Sequence, residues 1–273
     1  MIKYIQYIVR GVSVLKTGFI GVGNMGGAIL RSFAASDNID TGSLYIYSRT
    51  VSKTEALARE LGVKTCGSAA ELAKACDIII IGLKPDTVAS VMEQIAPVYT
   101  PDKIIISMAA GISIRAIEDM AGVSAKVIRI MPNTPVMVGE GMTAIFVNDN
   151  ITEEDKQTVY DMFSRTGRAE FADESMIHCI IGVSGSSPAY TYMYIDALAQ
   201  AAQAEGMSRE QAVDFAAQSV LETGQPPQQL RDNVCSPGGT TIEAVKTLQQ
   251  NGFADRLTEG FNACVRKSED MSR

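Results

Sequence analysis

The stretch Gly21-Val22-Gly23-Asn24-Met25-Gly26 decides the fold of this chain. An apolar segment leads into it, and the apolar residues that follow recur at helical spacing. The pattern G-x-G-x-x-G between a strand and a helix is typical of a dinucleotide site. Its glycines allow a tight turn, a close approach to pyrophosphate and close helix packing, whereas the alternative is a purely structural turn. The candidate cofactor ligands are Gly21, Gly23, Asn24, Met25 and Gly26.

Strand and helix patterns alternate up to about residue 172. Ile78–Ile81 is apolar at every position, as in a central strand covered on both faces. Ser68 with Glu71 and Thr152 with Asp155 have the spacing of capping boxes, which predicts two helix starts. Repeated strand–helix units predict an α/β fold with a Rossmann-type doubly wound parallel sheet. The predicted strands are Lys16–Gly21, Leu44–Ser48, Val63–Cys66, Asp77–Gly82, Lys103–Ser107, Lys126–Met131, Met142–Val147 and Arg168–Phe171.

The strand pattern stops at Asp173, and the remaining sequence predicts an all-helical domain. Helical spacing covers Pro188–Ala204, Arg209–Leu221, Thr241–Gln250 and Asp255–Lys267. Helices without an evident core of their own often complete their burial by pairing, so we predict a homodimer through this region. The predicted domains are an N-terminal extension (1–13), a dinucleotide-binding Rossmann domain (14–170) and a helical dimerisation and substrate-binding domain (171–273).

Composition excludes several classes of protein. The chain has 273 residues and a net charge of −7, and no basic run interleaves with aromatic residues, so nucleic acid is not an expected partner. No stretch of about 20 apolar residues occurs, so no membrane span is expected. The five cysteines are scattered without a C-x-x-C pair, which predicts reduced cytoplasmic thiols and no metal site.

The first thirteen residues, Met1–Ser13, precede the first predicted strand and carry none of the motifs. They lack a small-residue cleavage site, so we do not expect a signal peptide. We interpret them as an appended segment, and the alternative is an edge strand of the sheet.

The end of the second predicted strand indicates which dinucleotide binds. An NAD site usually places Asp or Glu there for the ribose 2′-hydroxyl. This chain instead has Ser48, Arg49 and Thr50, and an arginine can bind a 2′-phosphate with two hydrogen bonds. We therefore predict NADPH as the cofactor, with NADH also accepted. The alternative is that Arg49 is a solvated loop charge.

Three further loops follow predicted strands and should flank the same cofactor, because ligands bind outside the carboxyl ends of parallel strands. Leu83 and Lys84 follow the fourth strand, and Ala109 follows the fifth. Asn133 lies between Pro132 and Pro135, which suits a hydrogen bond to the nicotinamide carboxamide. The alternatives are a rigid connection at Asn133 and a catalytic acid at Lys84, for which we prefer a ribose or phosphate contact.

A second glycine-rich loop, Cys235–Thr241, opens a predicted helix near the end of the chain. Backbone N–H groups at a helix N-terminus favour anions. Ser236, Gly238, Gly239, Thr240 and Thr241 are therefore the candidate ligands of a substrate carboxylate. Two anion sites on one chain suggest a redox enzyme with a small acidic substrate.

Five motifs together resemble the pyrroline-5-carboxylate reductase family, from about Leu15 to Met271. The first is shared by many dehydrogenases, whereas the last two, in this order and in a helical region, are much more specific. The motifs are Gly18–Met25, Leu83–Pro85, Met131–Pro135, Ser184–Tyr190 and Cys235–Thr241.

The resemblance implies reduction of 1-pyrroline-5-carboxylate to L-proline by NAD(P)H, the last step of proline synthesis. It implies a dimer with intertwined helical domains, often built into a larger ring. By motif, Gly23–Met25 would contact the pyrophosphate and Ser48 with Arg49 the 2′-phosphate. Leu83, Lys84 and Ala109 would line the ribose and nicotinamide, and Ser236 with Gly239–Thr241 would hold the substrate.

Two features depart from the family pattern. Family members usually begin close to the first strand, so Met1–Ser13 is additional. The family helix before the substrate loop is longer by about two turns than the segment that leads here into Glu222–Gly224.

A protonated imine already accepts hydride, so the reaction needs position and electrostatics more than a strong acid. Thr241 is the candidate side chain beside the substrate ring, with solvent as the proton source, and its alternative role is helix capping. His178, the only histidine, lies in an apolar helical run and is interpreted as structural. Ser184–Ser187 has no adjacent base, and Tyr190, Tyr192 and Tyr194 are interpreted as core or dimer-interface residues.

Two alternative functions share part of this sequence pattern. A β-hydroxyacid dehydrogenase shares the first motif but needs a lysine early in the helical domain, and none occurs between Asp173 and Gln200. A non-catalytic dinucleotide-sensing dimer has no need of a second anion loop.

Overall fold

The computed structural model describes residues 15–36, 39–122, 124–218 and 240–273. The predicted extension, 1–13, lies outside these ranges. The chain divides after Ile177 into two compact units, and Met271–Arg273 group with the first.

In the described residues, the first unit contains an eight-stranded sheet in the order β3-β2-β1-β4-β5-β6-β7-β8. Its first six strands pair in parallel, which confirms the predicted Rossmann-type arrangement. The strands are β1 (Thr17–Ile20), β2 (Leu44–Tyr47), β3 (Lys64–Thr65), β4 (Ile78–Ile81), β5 (Ile104–Ser107), β6 (Lys126–Met131), β7 (Gly141–Val147) and β8 (Gly167–Phe171).

In the predicted parallel sheet, the strand direction reverses at β7. This strand pairs antiparallel with β6, and β8 then pairs parallel with β7. The β6–β7 connection contains only a 3₁₀ helix, Thr134–Val138, and is too short for the crossover that a parallel pair requires. The β7–β8 connection contains an α-helix, Glu153–Phe163, so these two strands can run in the same direction.

Six α-helices connect the strands of the first unit in the part of the chain that the structure describes. They are α1 (Asn24–Ala34), α2 (Val51–Leu61), α3 (Ala69–Ala75), α4 (Pro85–Ile95), α5 (Ile114–Ala121) and α6 (Glu153–Phe163). The predicted starts at Ser68 and Thr152 are confirmed, since each side chain caps its helix. Thr152 and Asp155 form a complete capping box, whereas the Glu71 carboxylate accepts from the Gly67 N–H, one residue before the cap.

The core of the first unit forms because apolar strands are covered by apolar helix faces. All four residues of β4 are buried, as predicted for a central strand. Phe33 of α1 contacts Phe19 of β1 and Phe163 of α6 edge to face, with ring centroids 5.8 and 5.7 Å apart. Such contacts add to the burial of the rings and fix α1 against the sheet.

A shielded ion pair joins α6 to the sheet. Lys126 Nζ of β6 lies 2.7 Å from Asp155 Oδ2, and the two side chains are 21% and 14% exposed. Burial alone would raise the pKa of Asp155, but hydrogen bonds from Lys126 and from the backbone and hydroxyl of Thr152 outweigh burial and lower this pKa. Asp155 therefore stabilises the fold in its ionised form.

Asp155→Asn should lower the free energy of unfolding by about 1–2 kcal/mol at pH 7. Because the folded-state pKa of Asp155 is lowered, its contribution is complete above the unfolded pKa of about 3.9 and is lost as pH falls through the folded value. Urea unfolding at one protein concentration measures this. The difference in free energy of unfolding between variant and wild type should be smaller at pH 3 than at pH 7. Asp161→Asn, on the exposed face of the same helix, is the matched control, and an equal loss there would refute the role of the pair.

The described part of the second unit is helical. Its first elements are the short helix α7 (Ile177–Ile180) and a π-helical turn over Ile181–Gly185. The remaining helices are α8 (Ser187–Ala204), α9 (Arg209–Gln218), α10 (Thr240–Gln250) and α11 (Phe253–Asp270). No strand follows Phe171 in the described ranges, which confirms the predicted helical domain.

The second unit leaves large apolar side chains exposed. In α8, Tyr192 is 60% and Met193 72% exposed, and in α9 Phe215 is 70% exposed. Solvated helices rarely carry so many large apolar groups, so these faces are typical of an interaction surface. No helix in the described ranges combines the length and apolar character needed to cross a membrane.

Candidate functional site

Three glycines bring the β1–α1 turn and the end of β4 into backbone contact. Gly21 has a φ of +92°, which an L side chain rarely adopts. A Cβ atom on Gly26 would lie 2.4 Å from the Gly21 carbonyl oxygen, and one on Gly82 would lie 2.6 Å from the same oxygen. Helix α1 can therefore begin directly against the sheet only because these positions lack side chains.

The N-terminus of α1 is open to an anion. Gly23 is the N-cap and provides no side-chain cap, and the first turn contains no acidic residue. Gly23 and Asn24 are exposed, and a Cβ atom on Gly23 would meet no described protein atom within 4 Å. The space beside Gly23 at this helix N-terminus is thus open, which suits a pyrophosphate.

The end of β2 lies beside this turn, because the Gly21 N–H donates to the Tyr47 carbonyl at 2.8 Å. Ser48, Arg49 and Thr50 follow it and lead into α2, whose N-cap, Thr50, provides no side-chain cap. The Ser48 hydroxyl is bonded to Thr54 Oγ1, whereas Arg49 and Thr50 are exposed. The first turn of α2 contains no acidic residue, so it offers a second open helix N-terminus.

Register places the other cofactor candidates at the same edge of the sheet. Ile20, the last residue of β1, pairs with the last residues of β2 and β4, and β4 ends level with β5. Leu83 is half-buried and Lys84 is exposed at the start of α4, while Ala109 is buried just after β5. The structure therefore brings together the candidates that follow β1, β2, β4 and β5.

The structure supports the alternative role of Asn133, a rigid connection between two strands. It is buried after β6, and its Oδ1 accepts a hydrogen bond of 2.8 Å from the Met142 N–H at the start of β7. This side-chain oxygen therefore holds the β6–β7 connection. The contact of Asn133 with a nicotinamide carboxamide stays a prediction.

Gly82 is a residue of this site to which sequence reasoning gave no role. Its N–H donates to the Ile20 carbonyl at 2.9 Å, and its Cα lies against the β1–α1 turn. The signal was a glycine at the carboxyl end of a buried strand, but only the position of β4 beside β1 explains it.

The substrate candidates fall at the border of the described residues. Ser236, Gly238 and Gly239 lie outside the described ranges. Thr240 and Thr241 lie in α10, so the predicted helix is confirmed. Their role toward a substrate stays a prediction.

Other candidates in the helical unit have structural contacts. His178 Nδ1 lies 2.9 Å from Ser268 Oγ of α11, which agrees with a structural histidine. Gly182 packs so closely on Phe261 of α11 that a Cβ atom would lie 2.4 Å from the ring. Gly182, two residues before the Ser184 motif, thus allows close packing of this turn on α11.

Two family models match the chain. Residues 174–271 match the model described as pyrroline-5-carboxylate reductase dimerisation. Residues 16–111 match the model described as NADP oxidoreductase, coenzyme F420-dependent. The helical unit therefore carries a dimerisation domain, and the second match covers the strands and turns assembled above.

Relatives cover nearly the whole chain. The pyrroline-5-carboxylate reductase of Escherichia coli K12 is 43% identical over 94% of this chain and 98% of its own. The human pyrroline-5-carboxylate reductase 2 is 34% identical over 94% of this chain and 84% of its own.

A crystal structure of the Plasmodium falciparum pyrroline carboxylate reductase with NADP bound is 34% identical, with a TM-score of 0.86 over 96% of this chain and 100% of that one. The pyrroline-5-carboxylate reductase of Coxiella burnetii has a TM-score of 0.88 at 29% identity, over 96% of this chain and 100% of that one. Sequence and fold agree across both units, and the chain belongs to the pyrroline-5-carboxylate reductase family.

Proposed function

We propose that this chain reduces 1-pyrroline-5-carboxylate to L-proline with NAD(P)H, the last step of proline biosynthesis. The observation that carries the proposal is the 43% identity to a pyrroline-5-carboxylate reductase across both units. The open, glycine-built N-terminus of α1 supports a dinucleotide independently of that identity. When bound, the nicotinamide supplies the hydride that the C=N carbon accepts.

The proposed cofactor residues hold the dinucleotide from one end to the other. Gly21, Gly23, Asn24, Met25 and Gly26 form the turn over which the pyrophosphate lies. Ser48, Arg49 and Thr50 surround the adenine ribose, and Leu83, Lys84, Ala109 and Asn133 lie toward the nicotinamide. The fit rests on the missing side chain of Gly23, which leaves open space above the first N–H groups of α1.

NADPH is the preferred form in this proposal. The described residues offer Arg49 no ion-pair partner, so its guanidinium can pair with a 2′-phosphate. Two features favour negative charge nearby: the open N-terminus of α2 and the absence of a carboxylate from its first turn.

Arg49→Asp should weaken NADPH binding by about 1.5–3 kcal/mol, which is about 10- to 150-fold in Kd. Fluorescence titration with NADPH and NADH checks this, because NADH lacks the 2′-phosphate and should bind almost as before. Arg59→Asp, in the last turn of α2, makes the same charge change at the far end of the helix and should leave both affinities unchanged. Equal losses of NADPH and NADH affinity in Arg49→Asp would show that Arg49 does not recognise the 2′-phosphate.

The substrate carboxylate belongs to the second glycine loop in this proposal. Ser236, Gly238, Gly239, Thr240 and Thr241 would bind it at the N-terminus of α10, where the helix dipole favours an anion. Thr241 would lie beside the imine ring, and solvent would supply the proton to nitrogen. The residue types of this loop and the family motif support these assignments.

The proposal also covers the oligomeric state of the protein and its location in the cell. The dimerisation domain and the exposed apolar faces of α8 and α9 support a homodimer, which we propose as the unit of a larger ring. The scattered cysteines support a cytoplasmic location. We retain 1–13, 14–170 and 171–273 as the proposed domain bounds.

One assay tests the function: NADPH consumption with 1-pyrroline-5-carboxylate, beside NADP⁺ reduction with 3-hydroxy acids. Rapid turnover with the imine alone, inhibited competitively by L-proline, supports the proposal. Turnover with 3-hydroxy acids alone would favour a β-hydroxyacid dehydrogenase. NADPH binding without turnover of any of these would favour a dinucleotide sensor.

A further inference from the structure

Glu174 is not among the proposed cofactor or substrate contacts, yet its carboxylate joins two elements that flank the cofactor site. Its Oε1 accepts a hydrogen bond of 2.9 Å from the Ile114 N–H, at the first residue of α5. The same oxygen accepts another of 2.9 Å from Arg129 Nη1, in β6. One carboxylate oxygen thus joins the start of a helix to the middle of a sheet strand.

Arg129 holds the Glu174 carboxylate in place. Its side chain is only 6% exposed, and that of Glu174 is 30% exposed. A buried guanidinium requires a counter-charge, so the pair holds the carboxylate close to β6. In the sheet, Arg129 lies beside Ser107, the last residue of β5.

The backbone around Glu174 is also held. The Asp173 carboxylate accepts from the Ser175 N–H at 2.8 Å, and the Met176 N–H donates to the Asp173 carbonyl at 3.0 Å. The Ala172 N–H donates to the Ile145 carbonyl of β7 at 3.0 Å. Glu174 therefore projects from a turn that is itself tied to the sheet.

The β5–α5 loop, residues 108–113, is fixed at both ends by these contacts. At its start, the Met108 N–H donates to the Ile81 carbonyl at 3.2 Å and the Ala109 N–H to Ser107 Oγ at 3.3 Å. At its end, the chain enters α5 at Ile114, whose N–H is the one held by Glu174. Glu174 is thus a long-range contact at the point where this loop enters the helix, and Gly111 within the loop packs closely on the Met271 backbone.

We propose that Glu174, held by Arg129, is a positioning residue for hydride transfer, because it fixes the β5–α5 loop against which the nicotinamide lies. The inference rests on the proposed function, which places Ala109 of this loop at the nicotinamide. A loop displaced by a fraction of an ångström would still allow NADPH to bind through the α1 and α2 N-termini. It would misplace the ring for transfer, and small misplacements are costly to rate.

The test is a single-turnover measurement of NADPH oxidation by saturating imine, well below the melting temperature. Glu174→Ala should slow it at least about 10-fold while the Kd for NADPH changes less than about 3-fold. Glu174→Gln keeps an acceptor of the same length for the Ile114 N–H, so it should recover most of the rate. Glu174→Ala leaves the buried Arg129 guanidinium without its partner. The double variant with Arg129→Met removes that charge, so its melting temperature should recover while its rate stays low.

Glu118→Gln is the matched control, because Glu118 also lies on α5 but away from the loop. Its carboxylate accepts a hydrogen bond of 2.7 Å from Nδ2 of Asn148, which follows β7. This substitution should leave the rate unchanged. If the rates of these variants instead changed in parallel with their melting temperatures, so that the double variant regained its rate, the positioning role would be overturned. An unchanged rate in Glu174→Ala would overturn it too. A wild-type protein inactive on the imine would instead refute the proposed function.

Discussion

Gly26→Ala is expected to lower the free energy of unfolding by about 3 kcal/mol or more, and to weaken NADPH binding as well. The added Cβ would lie 2.4 Å from the Gly21 carbonyl oxygen, so one of two backbone segments must move. Neither moves easily, because α1 is fixed by Phe33 in the core and Gly21 is bonded to β2. Chemical denaturation at a fixed protein concentration measures the stability loss.

Gly23→Ala is the matched control, three residues earlier in the same turn. A Cβ there would meet no described protein atom within 4 Å, so the stability loss should stay below about 1 kcal/mol, the cost of alanine at an N-cap. The methyl group would occupy the space proposed for pyrophosphate, so NADPH binding should weaken at least about tenfold. Unchanged NADPH affinity in Gly23→Ala would contradict the proposed pyrophosphate site, and normal stability in Gly26→Ala would contradict the packing argument.

Local chemistry explains why most of the fold could be predicted from the sequence. The buried run Ile78–Ile81 and the capping residues Ser68 and Thr152 act on their own neighbours in the chain, so each pattern identifies its element without tertiary information. The direction of β7 depends instead on how the chain turns back after Pro132. The sequence pattern does not distinguish a parallel from an antiparallel strand.

The same distinction applies to the candidate site. Residues after β1, β2, β4 and β5 could be identified because parallel strands place their carboxyl ends at one edge. The contact of Glu174 with Arg129 spans 45 positions of sequence and has no local pattern. Asn133 was correctly placed after β6, but its bond to Met142 depends on the antiparallel return of β7, which the sequence did not reveal.

Met193→Glu should convert the proposed dimer into monomers at micromolar concentration. Met193 is 72% exposed on α8 in a domain that matches a dimerisation family, so we expect a second copy to cover it. A carboxylate buried there without a partner costs about 3–5 kcal/mol, which raises the dimer Kd by about 100-fold or more. Sedimentation velocity across a dilution series measures this shift.

Met137→Glu provides the comparison, because Met137 is 70% exposed but lies outside the residues that match the dimerisation model. The two substitutions change the same residue type at nearly equal exposure, so they have similar effects on net charge and solubility. Only Met193→Glu should dissociate the dimer and, because the proposed substrate loop belongs to the helical domain, reduce turnover on dilution. A Met193→Glu protein that stays dimeric and active would show that this face of α8 lies outside the interface.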